Sequence, residues 1–360
     1  MVAVGAKPPA LPAKSYCSKI LGAGEERHQA TDLMVERISV IICAYNYAQF
    51  LPKCLETVFS QTRPPDEIIV LDDGSTDETA EVVRRFQGVR YIRQEHAGKA
   101  VAFNRGVQVS SGDIICHLDA DDYWFERKLE RLVDTLRSFP KAGGMVHDAV
   151  IIHGDEAPPT DIPSQGPPAL LSLEDSLLGF VYLPRKYRRV RGYFYGRWAV
   201  TPFAGGISVR RQAIEPYMPF PTDIGLSVDG LLWYVASTST LIHLPEVLGV
   251  YRHHGRNYWG NNPHALEGQI RLYRWLMNSP SFSKHLSRKQ RRLLSAKLAE
   301  DALRYELMGG PRLDRRPRLA LAVLLLTAGV LPGWKHWLMG MGFPAVKFAR
   351  RLIHHIKGYS

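Results

Sequence analysis

The sequence predicts an α/β fold built on a doubly wound, mostly parallel, Rossmann-like sheet, followed by a helical C-terminal extension. Short apolar runs alternate with amphipathic helical segments over about 110 residues from Ile38 onward, and this alternation is typical of parallel sheets. Two acidic clusters, Asp72-Asp73 and Asp119-Ala120-Asp121-Asp122, each directly follow an apolar run. Because open α/β sheets bind ligands outside the carboxyl ends of their strands, the clusters indicate where the binding site lies.

The strands are predicted from short continuous apolar runs, which suit strands buried on both faces. The helices are predicted from apolar residues recurring three and four positions apart. Arg63-Pro64-Pro65 ends the first helix, and Thr76-Asp77-Glu78 opens the second with acids in its first turn. The predicted elements are strand Ile38–Cys43, helix Phe50–Phe59, strand Ile68–Leu71, a helix from Thr76 to Arg85, strand Val89–Ile92, helix Gly98–Val109, strand Asp113–Leu118 and helix Glu126–Phe139.

The pattern weakens after Val150. The segment His153–Pro168 is rich in proline, glycine and aspartate, which predicts a loop. Beyond it, Gly205–Val209 is a predicted strand and Val228–Ala236 a predicted helix. The last hundred residues have a helical pattern.

The composition favours a protein with anionic ligands in a reducing compartment. The formal net charge is +11, and a basic surface attracts anions. The four cysteines show neither a disulfide framework nor zinc spacing. Residues 1–36 form a predicted tail of low order whose start does not resemble a signal peptide. We therefore expect a cytoplasmic location.

The acidic clusters predict a divalent metal beside a nucleotide. Neither a P-loop nor a Gly-x-Gly-x-x-Gly turn follows the first strand, so the two commonest phosphate-binding loops are missing. Clustered carboxylates repel one another unless a cation or hydrogen-bond donors hold them. Asp121, with Asp119 nearby, is the predicted ligand of Mn²⁺ or Mg²⁺, which prefer oxygen donors.

At this point the sequence resembles a known family, the family 2 glycosyltransferases, which are inverting enzymes with the GT-A fold. The resemblance covers about Ile38 to Asp122, where the family's motifs follow one another in nearly unbroken order. It is carried by Val40-Ile41-Ile42-Cys43-Ala44-Tyr45-Asn46, Ser60-Gln61-Thr62, Val70-Leu71-Asp72-Asp73-Gly74-Ser75-Thr76-Asp77, Gly112-Asp113 and Leu118-Asp119-Ala120-Asp121-Asp122.

The resemblance implies roles for particular residues. Tyr45 would stack on the base, Asp73 would hydrogen-bond its edge, and Asp119 would lie near the ribose or sugar. Asp121 would bind the metal that bridges the diphosphate, and His254, in Tyr251-Arg252-His253-His254, would contact the metal or a phosphate. The full set of expected nucleotide-sugar contacts is Cys43, Tyr45, Asn46, Asp72, Asp73, Asn104, Asp119 and Ala120. A solvated helix face is the alternative for Asn104.

The resemblance also implies a catalytic base at the start of a later helix, for which Asp229 is the best match. The family often has Glu-Asp there, whereas this chain has Val228-Asp229. Inversion is a single displacement in which a base takes the acceptor hydroxyl's proton as the nucleotide diphosphate leaves. A carboxylate in a partly closed cleft suits this task if its pKa rises. The alternative is that Asp229 only caps its helix.

The expected donor is a nucleotide-diphosphate sugar, with a UDP-sugar favoured, and the expected acceptor is a glycan or lipid-linked hydroxyl. Residues 37–260 would form the GT-A domain, with a donor half at 37–145 and an acceptor half at 146–260. Tyr182–Trp198 interleaves arginines and aromatic residues and is interpreted as an acceptor-side loop rather than a nucleic-acid site.

Residues 261–360 would be a basic helical region. Leu319–Leu331 is thirteen residues with only Thr327 polar, too short for a confident membrane span. Either a membrane-surface helix or a hairpin packed on the main domain fits this run. Arg271-Leu272-Tyr273-Arg274-Trp275 is interpreted as the surface of an amphipathic helix.

Two rival functions remain open from the sequence. One is a non-catalytic nucleotide-sugar or glycan-binding protein on the same fold, which would tolerate Asp229→Asn. The other is a receiver-type phospho-acceptor domain, because paired acids at a strand end also bind Mg²⁺ there. The chain length and the second acidic cluster argue against the receiver domain.

Overall fold

The computed structural model describes residues 36–158, 168–171, 200–224, 228–255 and 263–307. Three of the predicted features lie outside the described residues: the tail at 1–35, the arginine–aromatic segment at 182–198 and the apolar run at 319–331. Within the described residues, no helix is both long enough and apolar enough to cross a membrane.

One sheet forms the centre of the described chain. Its strands are β1 (Ile38–Ala44), β2 (Glu67–Asp72), β3 (Val89–Arg93), β4 (Ile114–Asp119), β5 (Tyr123–Trp124), β6 (Gly144–His153), β7 (Ala169–Leu171), β8 (Val200–Arg210) and β9 (Leu241–His253). Its helices are α1 (Leu51–Phe59), α2 (Thr79–Arg84), α3 (Lys99–Val109), α4 (Lys128–Ser138), α5 (Arg211–Ile214), α6 (Val228–Ala236), α7 (Pro263–Asn278), α8 (Pro280–Ser283) and α9 (Arg288–Leu307).

The sheet has the order β3-β2-β1-β4-β8-β6-β9-β5, and β7 pairs with β9. Strands β1 to β4 are parallel to one another, as the alternation of strands and helices predicts. The second half is mixed: β8 runs antiparallel to β4 and β6, whereas β6 and β9 are parallel. The α/β fold class is confirmed, and α7 to α9 supply the helical extension within the described residues.

The register of β1 explains why the two acidic clusters meet. Ala44 pairs with Asp72 on β2, and Cys43 pairs with Asp119 on β4. Both acidic segments therefore leave the sheet at the same carboxyl edge, one on each side of β1. This is the edge at which open parallel sheets bind ligands.

The core lies on both faces of the sheet, as strands with alternating buried side chains require. On one face, residues such as Ile41 and Ile69 pack with Phe103 of α3 and Leu231 of α6. On the other face, Val40 and its neighbours pack under α1 and α4. The first of these faces carries Ile115 and therefore also His117 and Asp119, which alternate with it along β4.

Helix α2 begins at Thr79 rather than at Thr76, where the acidic pattern predicts its start. The Asp77 carboxylate accepts the Thr79 amide at 3.1 Å. It also accepts the amide of Ala48, in the segment between β1 and α1, at 2.9 Å. Asp77 lies one residue before the N-cap residue Glu78 and satisfies the amide of the first helical residue, Thr79. The residues before it belong to the loop.

Candidate active site

The first acidic cluster organises the loop that follows β2. Asp72 Oδ1 accepts the Ser75 amide at 2.7 Å, and its Oδ2 accepts the Tyr91 hydroxyl. Gly74 follows with φ of +82°, a conformation that residues with a side chain rarely adopt. A Cβ atom at Gly74 would lie 2.8 Å from the backbone nitrogen of His96, so glycine is required for this close approach.

Asp73 holds the start of α3. Its carboxylate accepts the amides of Ala97 at 2.9 Å and Gly98 at 2.8 Å, together with the side chain of Gln94 at 2.8 Å. His96 Nδ1 also lies 2.9 Å from Asp73 Oδ2. These bonds place residues 94–98 directly over the carboxyl edge of the sheet.

Tyr45 forms an aromatic surface at the same edge. Its ring is 42% exposed and stacks on His96 with the centroids 4.0 Å apart and the planes 20° from parallel. Asn46 follows with φ of +57°, and its Oδ1 accepts the Thr76 amide at 2.8 Å. The Tyr45–His96 pair was not foreseen, because His96 lies outside every motif in the sequence.

The second acidic cluster offers three carboxylates to a cation. One ligand atom from each of Asp119, Asp121 and Asp122 lies within 4.8 Å of the others. Burial raises the pKa of Asp122, and repulsion by Asp121 and Asp119 raises it further. Mn²⁺ and Mg²⁺ favour carboxylate oxygens as ligands, and a cation would relieve the repulsion between these three carboxylates. The three residues therefore fit the predicted metal.

Strand β9 brings His254 to this cluster, as the sequence predicts. His254 Nε2 lies 3.0 Å from Asp121 Oδ2, and its ring stacks on Phe50 with centroids 4.5 Å apart. Asp122 Oδ1 accepts the backbone amide of Arg252 at 2.9 Å. These contacts fix the end of β9 against the turn that follows β4.

Lys99, the first residue of α3, connects the two halves of the site. Its Nζ donates to Asp119 Oδ1 at 2.6 Å and to Asp229 Oδ2 at 2.9 Å. Burial disfavours its charge, but the two carboxylates outweigh that effect and raise the pKa of the ammonium above its ordinary value. No local pattern in the sequence predicts this contact, because it joins residues far apart in the chain.

His117 on β4 contacts the other oxygen of Asp229. Its Nδ1 lies 2.7 Å from Asp229 Oδ1, and its Nε2 lies 3.7 Å from Asp119 Oδ1. The side chain is fully buried. The signal in the sequence was that His117 lies two residues before Asp119, and residues i and i+2 of a strand share a face.

Asp229 therefore has both carboxylate oxygens engaged. Burial opposes its ionisation, but Lys99 and His117 outweigh burial through charge and hydrogen bonds, and together they hold its pKa well below the ordinary value. The condition under which a carboxylate in a cleft suits the base, a raised pKa, is therefore not met by Asp229 here. The cleft supplies a cationic partner as well as an apolar environment, and the partner dominates.

The remaining predicted contacts are Asn104, Cys43 and Ala120. The amide of Asn104 is bonded to the backbone of Phe220, donating at 2.8 Å and accepting at 2.8 Å. Cys43 is partly buried on β1, where burial raises the pKa of its thiol. Ala120 is fully buried.

Comparison with known proteins shows which family the first part of the chain is similar to. Residues 39–215 match the family model described as Glycosyl transferase family 2. This range includes the two acidic clusters, Lys99 and His117. Asp229 and His254 lie beyond it.

Curated relatives match over different shares of their length. An uncharacterized glycosyltransferase of Nostoc sp., alr2836, is 32% identical over 228 residues, which are 61% of this chain and 66% of that protein. Glycosyltransferase GlyA of Streptococcus pneumoniae is 38% identical over 99 residues, 26% of this chain and 14% of that protein. The uncharacterized glycosyltransferase YibD of Escherichia coli is 37% identical over 101 residues, 27% of this chain and 29% of that protein.

Solved structures share the fold. TarS 1–349 of S. aureus superposes with a TM-score of 0.51 and 15% identity, covering 85% of this chain and 79% of that one. Its complex with UDP-GlcNAc gives a TM-score of 0.53 at 15% identity, covering 85% and 80%. Taken with the sheet order, these findings show that the chain has the GT-A fold and that residues 39–215 are similar to glycosyltransferase family 2.

Proposed function

We propose that the protein is a metal-dependent, inverting glycosyltransferase that moves a sugar from a nucleotide-diphosphate sugar to a hydroxyl acceptor. One observation carries the proposal: the same Lys99 ammonium donates to Asp119 at 2.6 Å and to Asp229 at 2.9 Å. The residue expected near the donor sugar and the residue expected to act as base therefore face one another across a single cation. A displacement at the anomeric carbon needs donor and base this close.

The donor would lie along the carboxyl edge of β1, β2 and β4. The Tyr45–His96 pair would stack with the base, and the turn at Asp72 and Asp73 would border it. The solved relative TarS binds UDP and UDP-GlcNAc, and this supports a UDP-sugar as the donor here. Asn46 and Cys43 would line the floor of the same edge.

Asp121 would hold Mn²⁺ or Mg²⁺, with Asp119, Asp122 and His254 as the neighbouring donors. A divalent ion bound there would neutralise charge on the diphosphate leaving group. His254 lies 3.0 Å from Asp121, so it can serve as a further ligand or as the group that orients the Asp121 carboxylate.

Asp229 would act as the general base. It lies in the first turn of α6, where the helix dipole favours the ionised carboxylate. In the reaction, its Oδ2 would accept the acceptor hydroxyl's proton. The acceptor oxygen forms a bond to the anomeric carbon as the bond to the diphosphate oxygen breaks, with inversion. The lowered pKa keeps Asp229 ionised, so the acceptor hydroxyl must displace Lys99 from Oδ2.

The acceptor would be a glycan or a lipid-linked precursor of a cell-surface polysaccharide or glycolipid. The net charge of +11 supports attraction to an anionic surface, consistent with peripheral contact at the cytoplasmic face of a membrane. We propose residues 37–260 as the GT-A domain, with 37–145 as the donor half and 146–260 as the acceptor half.

Thermal stabilisation by nucleoside diphosphates tests the donor site. Wild type and Asp121→Ala would each be titrated with UDP, GDP, ADP and CDP, with and without Mn²⁺. The proposal predicts a Mn²⁺-dependent rise in melting temperature with one nucleotide, UDP being favoured, and its loss in Asp121→Ala. No shift with any nucleotide in folded protein would contradict the donor site. Nucleotide binding by wild type without any sugar transfer would leave only a binding protein, whereas transfer unaffected by Asp229→Asn would contradict Asp229 as the base.

A further inference from the structure

A buried histidine, His117, is hydrogen-bonded to the candidate base, Asp229. His117 lies on β4 between Ile115 and Asp119 on one face of the sheet, and it has no exposed side-chain surface. Its Nδ1 lies 2.7 Å from Asp229 Oδ1. Because an ionised carboxylate can only accept, the proton of this bond lies on Nδ1.

The ring is fixed in place by its surroundings. Phe103 of α3 meets it edge-on, with centroids 5.2 Å apart and planes 83° from parallel. Phe103 in turn stacks on Phe220 at 5.8 Å. An imidazole wedged this way has little freedom to rotate, so the direction of its Nδ1–H bond is set by the core.

Packing alone does not account for a histidine here. The neighbouring position on the same face, Ile115, is apolar, and a buried polar group is costly unless it is hydrogen-bonded. Within the described residues, His117 Nε2 has no hydrogen-bond partner. The bond to Asp229 is therefore the hydrogen bond that the buried imidazole makes in the described part of the chain.

We propose that His117 is a positioning residue for sugar transfer: its Nδ1–H holds Asp229 Oδ1 so that Oδ2 faces the acceptor hydroxyl. This inference rests on the proposed function, because it assigns His117 a role in the same displacement. Oδ2 is the oxygen that Lys99 occupies at 2.9 Å. The geometry thus divides the carboxylate into an anchored oxygen and an oxygen that can exchange partners.

A pair of amide substitutions separates this role from packing. In His117→Asn the side-chain NH₂ can occupy the place of Nδ1, whereas in His117→Gln it reaches the place of Nε2 and points away from Asp229. A third variant, His117→Phe, keeps a ring but has no donor. His147→Asn is the matched control, because His147 is also fully buried and its Nδ1 bonds a backbone oxygen of Asp148 at 2.8 Å.

The measurement is kcat and KM for release of the nucleoside diphosphate from the donor that wild type uses, with melting temperature and nucleotide-induced stabilisation recorded for each variant. A misplaced base costs about 10²-fold in rate, so kcat should fall about 10²-fold in His117→Gln and His117→Phe. The KM for donor should stay within about threefold, and His117→Asn should recover most of the rate. His147→Asn should change stability without this selective loss of kcat.

The outcomes distinguish this inference from the proposed function. If wild type turns over a donor but the Asn and Gln variants have equal kcat, the positioning role is wrong and the transferase remains. If kcat falls equally in His147→Asn and His117→Gln, the effect is structural and the inference is again wrong. If wild type turns over none of the sugar nucleotides, the proposed function itself fails, and the role of His117 fails with it.

Discussion

The Nζ atom of Lys99 lies 2.9 Å from Oδ2 of Asp229, although 130 residues separate them in the chain. The same atom lies 2.6 Å from Asp119 Oδ1. One buried ammonium therefore bridges two carboxylates and reduces the repulsion between them.

Lys99→Met should damage both stability and turnover. Removing one partner of a buried ion pair costs about 3–5 kcal/mol, because it leaves uncompensated charge. Asp119 and Asp229 would then face each other without a cation, and one of them would take up a proton. Urea denaturation and donor turnover measure the two effects.

Lys128→Met is the matched control for Lys99. Lys128 is fully buried and donates to Ser208 Oγ at 2.7 Å, and it is not among the residues of the site. We expect it to lower the free energy of unfolding while turnover per folded molecule stays near wild type. Equal loss of turnover in both variants would show that Lys99 acts only through stability.

The stabilisation that Asp229 provides should depend on pH with a defined sign. Its pKa is lowered in the folded state, so this stabilisation is present in full above the unfolded value of about 3.9 and is lost as pH falls towards the lower folded value. The difference in unfolding free energy between wild type and Asp229→Asn should be constant from pH 7 to about 5 and shrink below about 4. Urea denaturation across this range measures it, and a difference that grows on acidification would contradict the ion pair.

His254→Ala should weaken metal-dependent nucleotide binding. His254 Nε2 lies 3.0 Å from Asp121, and the loss of a ligand or of its orienting partner lowers metal affinity about 10–100-fold. The Mn²⁺ concentration that gives half of the UDP-induced thermal shift should rise by this factor. His253→Ala is the control, since the adjacent side chain is exposed, and an equal effect there would remove His254 from the site.

Gly74→Ala should disturb the loop that carries His96. Both Gly74 and Gly88 have positive φ, +82° and +86°, which costs an alanine about 1–2 kcal/mol. A Cβ at Gly74 would also meet the His96 nitrogen at 2.8 Å, whereas at Gly88 it meets nothing within 4 Å. Gly74→Ala should therefore lose more unfolding free energy than Gly88→Ala and bind UDP more weakly. Equal losses in calorimetry would show that the close approach is relieved.

The first half of the fold is predictable from the sequence because its signals are local. Strands β1, β2 and β4 are mainly apolar runs, and parallel pairing of such runs places Asp72 and Asp119 at one edge without further information. The second half is less predictable. Strand β9 contains Pro245 and its pairing with β6 shifts register near Asp148, so the period-two pattern is interrupted.

The contacts between the side chains of the site could not all be predicted, because some join residues far apart in the sequence. Asp121 and His254 were paired through the resemblance, and the structure brings them together. Lys99 is the first residue of a helix and His117 lies within an apolar strand, so neither belongs to a recognisable motif. Their contacts with Asp229 are seen only in the folded chain, where α6 places Asp229 beside both residues. The lowered pKa of Asp229 follows from these two neighbours, which the pattern around Asp229 does not reveal.

Release of UDP from UDP-sugars in the presence of Mn²⁺, by wild type and by Asp229→Asn, tests the central claim most directly. A general base contributes about 10²–10⁴-fold to the rate. The account predicts turnover by wild type, a loss of this size in Asp229→Asn, and the same UDP-induced thermal stabilisation in both proteins. Turnover by Asp229→Asn within twofold of wild type would contradict the assignment of Asp229 as the base.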